Sequence, residues 1–206
     1  MGSPSGFITA PKQGVHFELA RLAVRELRRA KSFSIKAANE KQLEIHLVGR
    51  LKKSRALEEH IRDQIEKEPD EPISKVTAFG FSHGPDIAID HGTAIEVKLV
   101  KGADDLRMGL SQVLVYRFVY RFAIMVLGDW TEHGVLVKSL LEKTSEGAKL
   151  LRYLCDELNI FTVVGPVGPD KPNLVFVPKR TVKPPPNQTP GVDVSSSQAP
   201  SPTTIG

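Results

Sequence analysis

The run Gly84-Pro85-Asp86-Ile87-Ala88-Ile89-Asp90-His91-Gly92-Thr93-Ala94-Ile95-Glu96-Val97-Lys98-Leu99-Val100 constrains this chain more than any other feature. Two alternating stretches, Asp86 to Asp90 and Ala94 to Val100, flank His91-Gly92, which is the pattern of a β-hairpin. Alternate side chains of a strand share a face, so Ala94, Glu96 and Lys98 point one way and Ile95, Val97 and Leu99 the other. Glu96 and Lys98 are therefore expected in a largely buried strand, where an unpaired charge is costly. Asp86 opens the partner strand after a proline turn, and a short hairpin brings it near Glu96.

The remaining elements follow from periodicity and punctuation. Helical spacing runs from Gln13 to Lys31, with Val15, Phe17, Leu19, Ala20, Ala23, Val24 and Leu27 on one side and Arg21, Arg25, Arg28 and Arg29 on the other. Ser32 to Ala38 reads as a short strand. Asn39 is a good N-cap with Gln42 three residues on, and the helix it opens continues through Leu43, Leu47 and Leu51. A charged helix is expected over Ala56–Lys67, ending before Pro69 and Pro72. Ile73 to Phe81 is β-like, and Ser82 to Pro85 is a turn cluster. A buried helix follows over Leu106–Tyr120, then a buried strand over Phe122–Leu127. Strands at Val135–Val137, Ile160–Val164 and Leu174–Val177, and a helix over Ser145–Leu158, complete the ordered part.

A chain of 206 residues suffices for one core of ordinary size. The expected organisation is a disordered N-terminus over 1–12, a single domain over 13–180, and a disordered Pro/Ser-rich tail over 181–206. The one cysteine, Cys155, lies in an amphipathic helix and reads as a small core residue of a reducing compartment. No apolar run is long enough to span a bilayer, and the start lacks a signal-like segment. A cytoplasmic protein with no membrane partner is expected. The formal net charge of +4 and pI near 9.2 fit a polyanion partner but do not require one.

Two adjacent carboxylates repel unless something positive sits between them. Mg²⁺ or Mn²⁺ answers that need, since hard cations favour oxygen ligands and keep several waters. With Lys98 alongside to hold or help deprotonate a water and offset phosphate charge, Asp86 and Glu96 meet the requirements of phosphodiester hydrolysis. The spacing by itself leaves a structural salt bridge among Asp86, Glu96 and Lys98 open.

Pro85-Asp86, followed by Glu96-Val97-Lys98, resembles the signature of the PD-(D/E)XK nuclease superfamily, which includes many restriction enzymes and archaeal Holliday junction resolvases. The order of elements resembles that family's α-β-β-β-α-β core: helix from Asn39, strand to Phe81, strands from Asp86 and Ala94, helix from Leu106, strand from Phe122. Gln112 and Tyr116 resemble the QxxxY motif of the RecB-type branch, and lie i,i+4 on one helix face. The resemblance covers about Asn39 to Asp129. It implies an α/β fold of the restriction endonuclease-like kind, a central mixed sheet flanked by helices, here with an extra N-terminal helix. It implies a Mg²⁺- or Mn²⁺-dependent nuclease acting on nucleic acid, DNA before RNA. Asp86, Glu96 and an upstream glutamate would hold the metal, Lys98 would act on the water, and Gln112 would orient the site.

Three glutamates compete for the upstream position. Glu40 falls amid Leu43, Leu47 and Leu51 on the helical wheel and is preferred; Glu44 lies at the edge of that face. Glu18 sits among arginines and reads as a surface pair with Arg21 or Arg25. The histidine of the RecB-type branch has no counterpart, since His46 faces away from the leucines and His16 and His83 lack the context. Trp130 reads as a core or loop anchor rather than a base-stacking platform. The first-helix arginines could follow a phosphate backbone or form a solvated face. A homodimer through the apolar Val113–Phe122 region is a further expectation. The alternative to catalysis is a nuclease-like module that binds nucleic acid or protein without cutting.

Overall fold

The computed structural model describes residues 12–63, 73–142, 144–168 and 174–178. Five strands form one mixed sheet in the order β1 (Ile61–Asp63), β4 (Ile87–Ile89), β5 (Thr93–Val100), β6 (Phe122–Asp129) and β7 (Ile160–Pro166). β1, β4 and β5 are antiparallel neighbours, and β5, β6 and β7 run parallel. The parallel pairs need crossovers, supplied by α3 (Ala103–Tyr116) between β5 and β6, and by α4 (Val135–Leu141) with α5 (Glu146–Leu158) between β6 and β7. Every residue of β5, β6 and β7 is buried, as expected of strands covered on both faces.

Two apolar clusters lie on opposite faces of this sheet. Ile87, Ile89, Ile95, Val97 and Leu99 pack with α1 (Val15–Leu27) and α2 (Glu40–Lys52). Ala88, Ala94, Val100, Met125 and Leu127 pack with Val113 and Tyr116 of α3 and Val137 of α4. The alternation read from the hairpin is thus a true division of faces. Among the described residues no helix is long and apolar enough to cross a membrane.

The expected hairpin is present, pairing Ile87 with Ile95 and Ile89 with Thr93. So is the Asn39 cap: its side chain accepts the Gln42 N–H, while Gln42 Oε1 accepts from Ala38 N–H. Four expectations are corrected. The Ala56–Lys67 helix is instead a 3-10 turn at Glu58–His60 and strand β1, because Ile61 and Asp63 are buried against β4 and Lys52 pairs with Asp63 at 3.0 Å. Residues 64–67 lie outside the described residues. The first strand of the sheet is therefore β1, not the segment ending at Phe81. That segment forms a separate ribbon, β2 (Val76–Ala78) with β3 (Phe81–His83), turning at Phe79-Gly80 rather than after Phe81. Ser32–Ala38 makes no ladder: Phe33 is buried against Gly165, so its alternation reflects packing alone. Val135–Val137 begins helix α4, where Val137 and Leu140 face the core and Asp129 accepts the Val137 N–H.

Smaller differences follow the same logic. The helix expected over Leu106–Tyr120 covers Ala103–Tyr116 and buries one side; Met108 is exposed. Around Leu174–Val177 the structure has a single bridge, Phe176 to Val164. Residues 1–11 and 181–206, expected to be disordered, lie outside the described residues, whereas Lys12 is described and its Nζ donates to Asp156 O. Cys155 is buried as expected. Val15, expected on the apolar side of the first helix, proves exposed at the start of α1. Half of the Val113–Phe122 region is buried in its own core (Val113, Tyr116, Arg117, Tyr120 and Phe122), while Phe118 and Val119 are exposed.

Gly128 sets how closely α2 approaches the sheet. A Cβ there would lie 2.6 Å from Leu43 Cδ2 and 2.7 Å from Val167 Cγ2, both buried. Gly128→Ala is therefore expected to lift α2 and destabilise the protein by about 1–3 kcal/mol through overpacking, read by urea unfolding. An unchanged midpoint would show that the core yields there without cost.

Candidate functional site

β4 and β5 stay paired for three residues and then part. β4 pairs from Ile87, whereas β5 continues past Ile95 to Val100. The Val97 and Leu99 amides therefore lack a β4 partner, and a buried amide without an acceptor is costly. Two carboxylates fill the gap. Val97 N–H donates to Asp86 Oδ2 at 2.7 Å, and Leu99 N–H donates to Glu40 Oε2 at 3.2 Å. Asp86 reaches its amide because the buried Pro85 directs the chain into β4. Glu40 reaches because it stands in the first turn of α2, just after the Asn39 cap.

Lys98 lies between these groups. Its ammonium is 2.7 Å from Glu96 Oε1 and donates to Glu40 Oε1 at 2.9 Å. The lysine stem passes beneath α3 at Gly109, where a Cβ would stand 3.0 Å from Lys98 Cγ. Glu96 is 1% exposed, and its Oε2 lies 2.8 Å from the Tyr116 hydroxyl, which is also 3.0 Å from Gly84 O. Glu44, one turn after Glu40, is buried and accepts from Lys41 Nζ at 2.9 Å; its charge also acts on Asp86.

The structure thus brings Asp86, Glu96, Lys98 and Glu40 into one cluster. Glu40 is less buried than the wheel suggested, with its side chain 42% exposed, because it is the first residue of α2, ahead of the turns that bury Leu43, Leu47 and Leu51. Glu44, placed at the edge of the apolar face, is the more enclosed of the two. Gln112 makes no hydrogen bond to the cluster, and its Oε1 is buried without a partner among the described residues. The α3 residue that holds Glu96 is Tyr116. Gly109 escaped sequence reasoning, although a glycine inside an apolar helix signals a packing need.

The other candidates stand apart. Glu18 pairs with Arg21 at 3.1 Å on the surface. His46 contacts Lys31 O, and His16 packs on Gly92 at the hairpin turn. Arg25 and Arg29 lie within ion-pair range of Glu26.

The electrostatics are those of crowded negative charge. Burial, and then the charge of Glu96, push the Asp86 carboxyl up to about 7; the Val97 amide and Lys98 offset part of this. Burial also raises Glu96, against the pull of Lys98 and Tyr116. Burial alone would lower the Lys98 ammonium, but Glu96 and Glu40 overcome it and hold it above the ordinary lysine value. A raised Glu96 and a raised Lys98 pull in opposite senses on one ion pair. With two carboxylates within 2.9 Å of Nζ, the ammonium form of Lys98 is favoured.

Asp86 and Glu96 supply hard oxygen donors whose ionisation is opposed by burial and by each other, a donor set that suits Mg²⁺ or Mn²⁺. Among the described residues, no three acidic or histidine side chains already converge as a cage for an ion. Comparison with protein-family models, with curated proteins and with solved structures finds no match to this chain.

Asp86 should make the metal-free protein less stable as pH rises. Below about 4 the carboxyl is protonated in folded and unfolded chains alike. Between about 4 and 7 the unfolded chain ionises while the folded one keeps its proton, and above 7 the full penalty is present. Asp86→Asn keeps an oxygen for the Val97 amide and removes the charge. In EDTA it is expected to raise stability by roughly 1–3 kcal/mol at pH 8, with little effect at pH 4, measured by urea unfolding. A purely structural salt bridge requires the opposite sign at pH 8.

Proposed function

We propose that the protein is a Mg²⁺- or Mn²⁺-dependent nuclease acting on DNA, with a fold of the restriction endonuclease-like kind. The observation that carries this reading is the buried cluster of Asp86, Glu96, Lys98 and Glu40 where β4 leaves β5. A purely structural role explains poorly why buried carboxylates are gathered at the cost of one another's ionisation. The order α2, β1, β4, β5, α3, β6 supports an α-β-β-β-α-β core. The lack of any match in the comparisons leaves the reading resting on residues and geometry.

Asp86 and Glu96, with Glu40 or Glu44 from α2, would hold the ion. When bound, it would lower the pKa of a water and neutralise phosphate charge. Lys98 would hold or help deprotonate the water and offset phosphate charge; the raised ammonium that Glu96 and Glu40 give it without metal favours the hydrogen-bond donor and counter-charge role. Tyr116 fixes the Glu96 carboxylate from α3, and Glu40 holds the lysine from α2. In this reading the protein resides in the cytoplasm.

A second reading, a nuclease-like module that binds without cutting, draws on one observation. Lys98 is already neutralised by two carboxylates, and no ready cage of three acidic groups exists among the described residues.

A cleavage panel decides between them: linear, nicked, single-stranded, flap and four-way-junction DNA, each with Mg²⁺, Mn²⁺ or EDTA. Wild-type protein is expected to cut at least one with metal alone. Glu96→Gln and Lys98→Met are expected to lose about 100-fold or more while still binding DNA. Metal-dependent cutting that survives both substitutions would reject the assignment. Absence of Mn²⁺ binding by calorimetry, with DNA binding intact, would favour the second reading.

A further inference from the structure

Beside the carboxylate cluster lies a cavity of about 260 Å³, lined by Ile35, Lys36, Ala37, Ala38, Trp130 and Val167 among others. Its walls are mostly apolar. Pockets for drug-sized ligands run about 300–1,000 Å³, so this one suits a single ring system. Trp130 is partly buried, with Lys101 Nζ 4.5 Å from its ring centroid, and Lys36 is exposed at the rim. Neither lysine has a carboxylate within ion-pair range among the described residues. An aromatic platform in an apolar pocket, with one cation over its ring and another beside the pocket, is a combination that stacks a nucleobase and takes its phosphates.

Its position ties it to the cluster twice. Ala38 is two residues from Glu40, whose carboxylate meets Lys98 and the Leu99 amide. Trp130 N–H donates to Val100 O, two residues beyond Lys98. Two residues of extended chain span at most about 7 Å, so cavity and cluster adjoin along the chain, with the cavity on the α1/α2 face of the sheet and Glu40 reaching from that side to Lys98.

We infer that this cavity receives one unpaired base of a DNA strand, stacked on Trp130, while Lys36 and Lys101 hold the adjacent phosphates. The ligand's identity rests on the nuclease reading, and it narrows the substrate to single strands, flaps or frayed ends. A base inside an intact duplex is already stacked and paired, and extracting it has a cost that a loose strand does not bear.

Trp130 is the chain's single tryptophan, so its fluorescence reports the cavity directly. The full chain is titrated in EDTA with an oligothymidylate of about eight residues, an abasic strand of equal length, and thymidine monophosphate. Oligothymidylate is expected to quench the emission and to bind roughly tenfold tighter than the abasic strand. Ala38→Leu, which fills the cavity from an exposed position, is expected to abolish that tenfold preference while leaving abasic binding within about twofold. Equal quenching by the abasic strand, or none by either, overturns the inference, as does binding of the mononucleotide as tight as that of the oligomer. Quenching by oligothymidylate without metal-dependent cleavage would leave this site standing and remove the nuclease reading. Cleavage without quenching would do the reverse.

Discussion

The parting of β4 from β5 is the constraint on which the rest of the site depends. A strand buried on both faces must place every amide, and Val97 and Leu99 extend past their antiparallel partner. A backbone carbonyl would satisfy them without adding charge. This chain uses Asp86 and Glu40 instead, and so imports two negative groups into a place where Glu96 is already enclosed. Lys98 is the compensating charge, and Gly109 and Tyr116 on α3 fit that compensation by clearing the lysine stem and holding the glutamate.

That compensation is incomplete. Glu40, Glu44, Asp86 and Glu96 share the region with Lys98 and with Lys41, whose side chain is half exposed. The surplus falls on Asp86, whose carboxyl is pushed up to about 7 by burial and by Glu96. A fold selected for stability alone has simpler options, since an apolar residue or an asparagine at position 86 would avoid the strain. Stability given up locally for a preorganised cluster is the pattern expected at a binding or reactive centre.

What the sequence made legible was whatever its own periodicity decided. The alternation through Ile95, Val97 and Leu99 is a strict two-residue repeat imposed by a sheet with a core on each side, and the hairpin was readable from it. Asn39 was readable as a cap because its side chain bonds an amide only three residues away. Elements decided by distant partners were not. Ile61–Asp63 is charged and three residues long, and becomes a strand because β4 offers it an edge. Val135–Val137 is β-branched, yet the buried Asp129 carboxylate receives the Val137 amide and starts a helix. In the site, the wheel placed Glu40 deeper than Glu44, whereas Glu44 is the buried one and Glu40 the one that meets Lys98. A wheel knows the face of a helix and not how its first turn meets the sheet.

The segment entering α2 joins cluster and cavity, through Glu40 and Ala38. Residues 35–40 leave the buried Phe33, line the cavity next to Trp130, and enter α2 at Asn39. Glu40 lies in the first turn, where the helix dipole favours a carboxylate, so its charge is held at the position that anchors Lys98. The segment has no ladder of its own to fix it. Its placement comes from Phe33 against Gly165, from the Ala38 amide on Gln42, and from Gly128, which lets Leu43 settle on β6. Contacts remote from any reacting group therefore set both the reach of Glu40 and the width of the cavity. A change at Gly128 or Phe33 should disturb cluster and cavity together, whereas a change at Asp86, held by β4 and β5 alone, should leave the cavity intact.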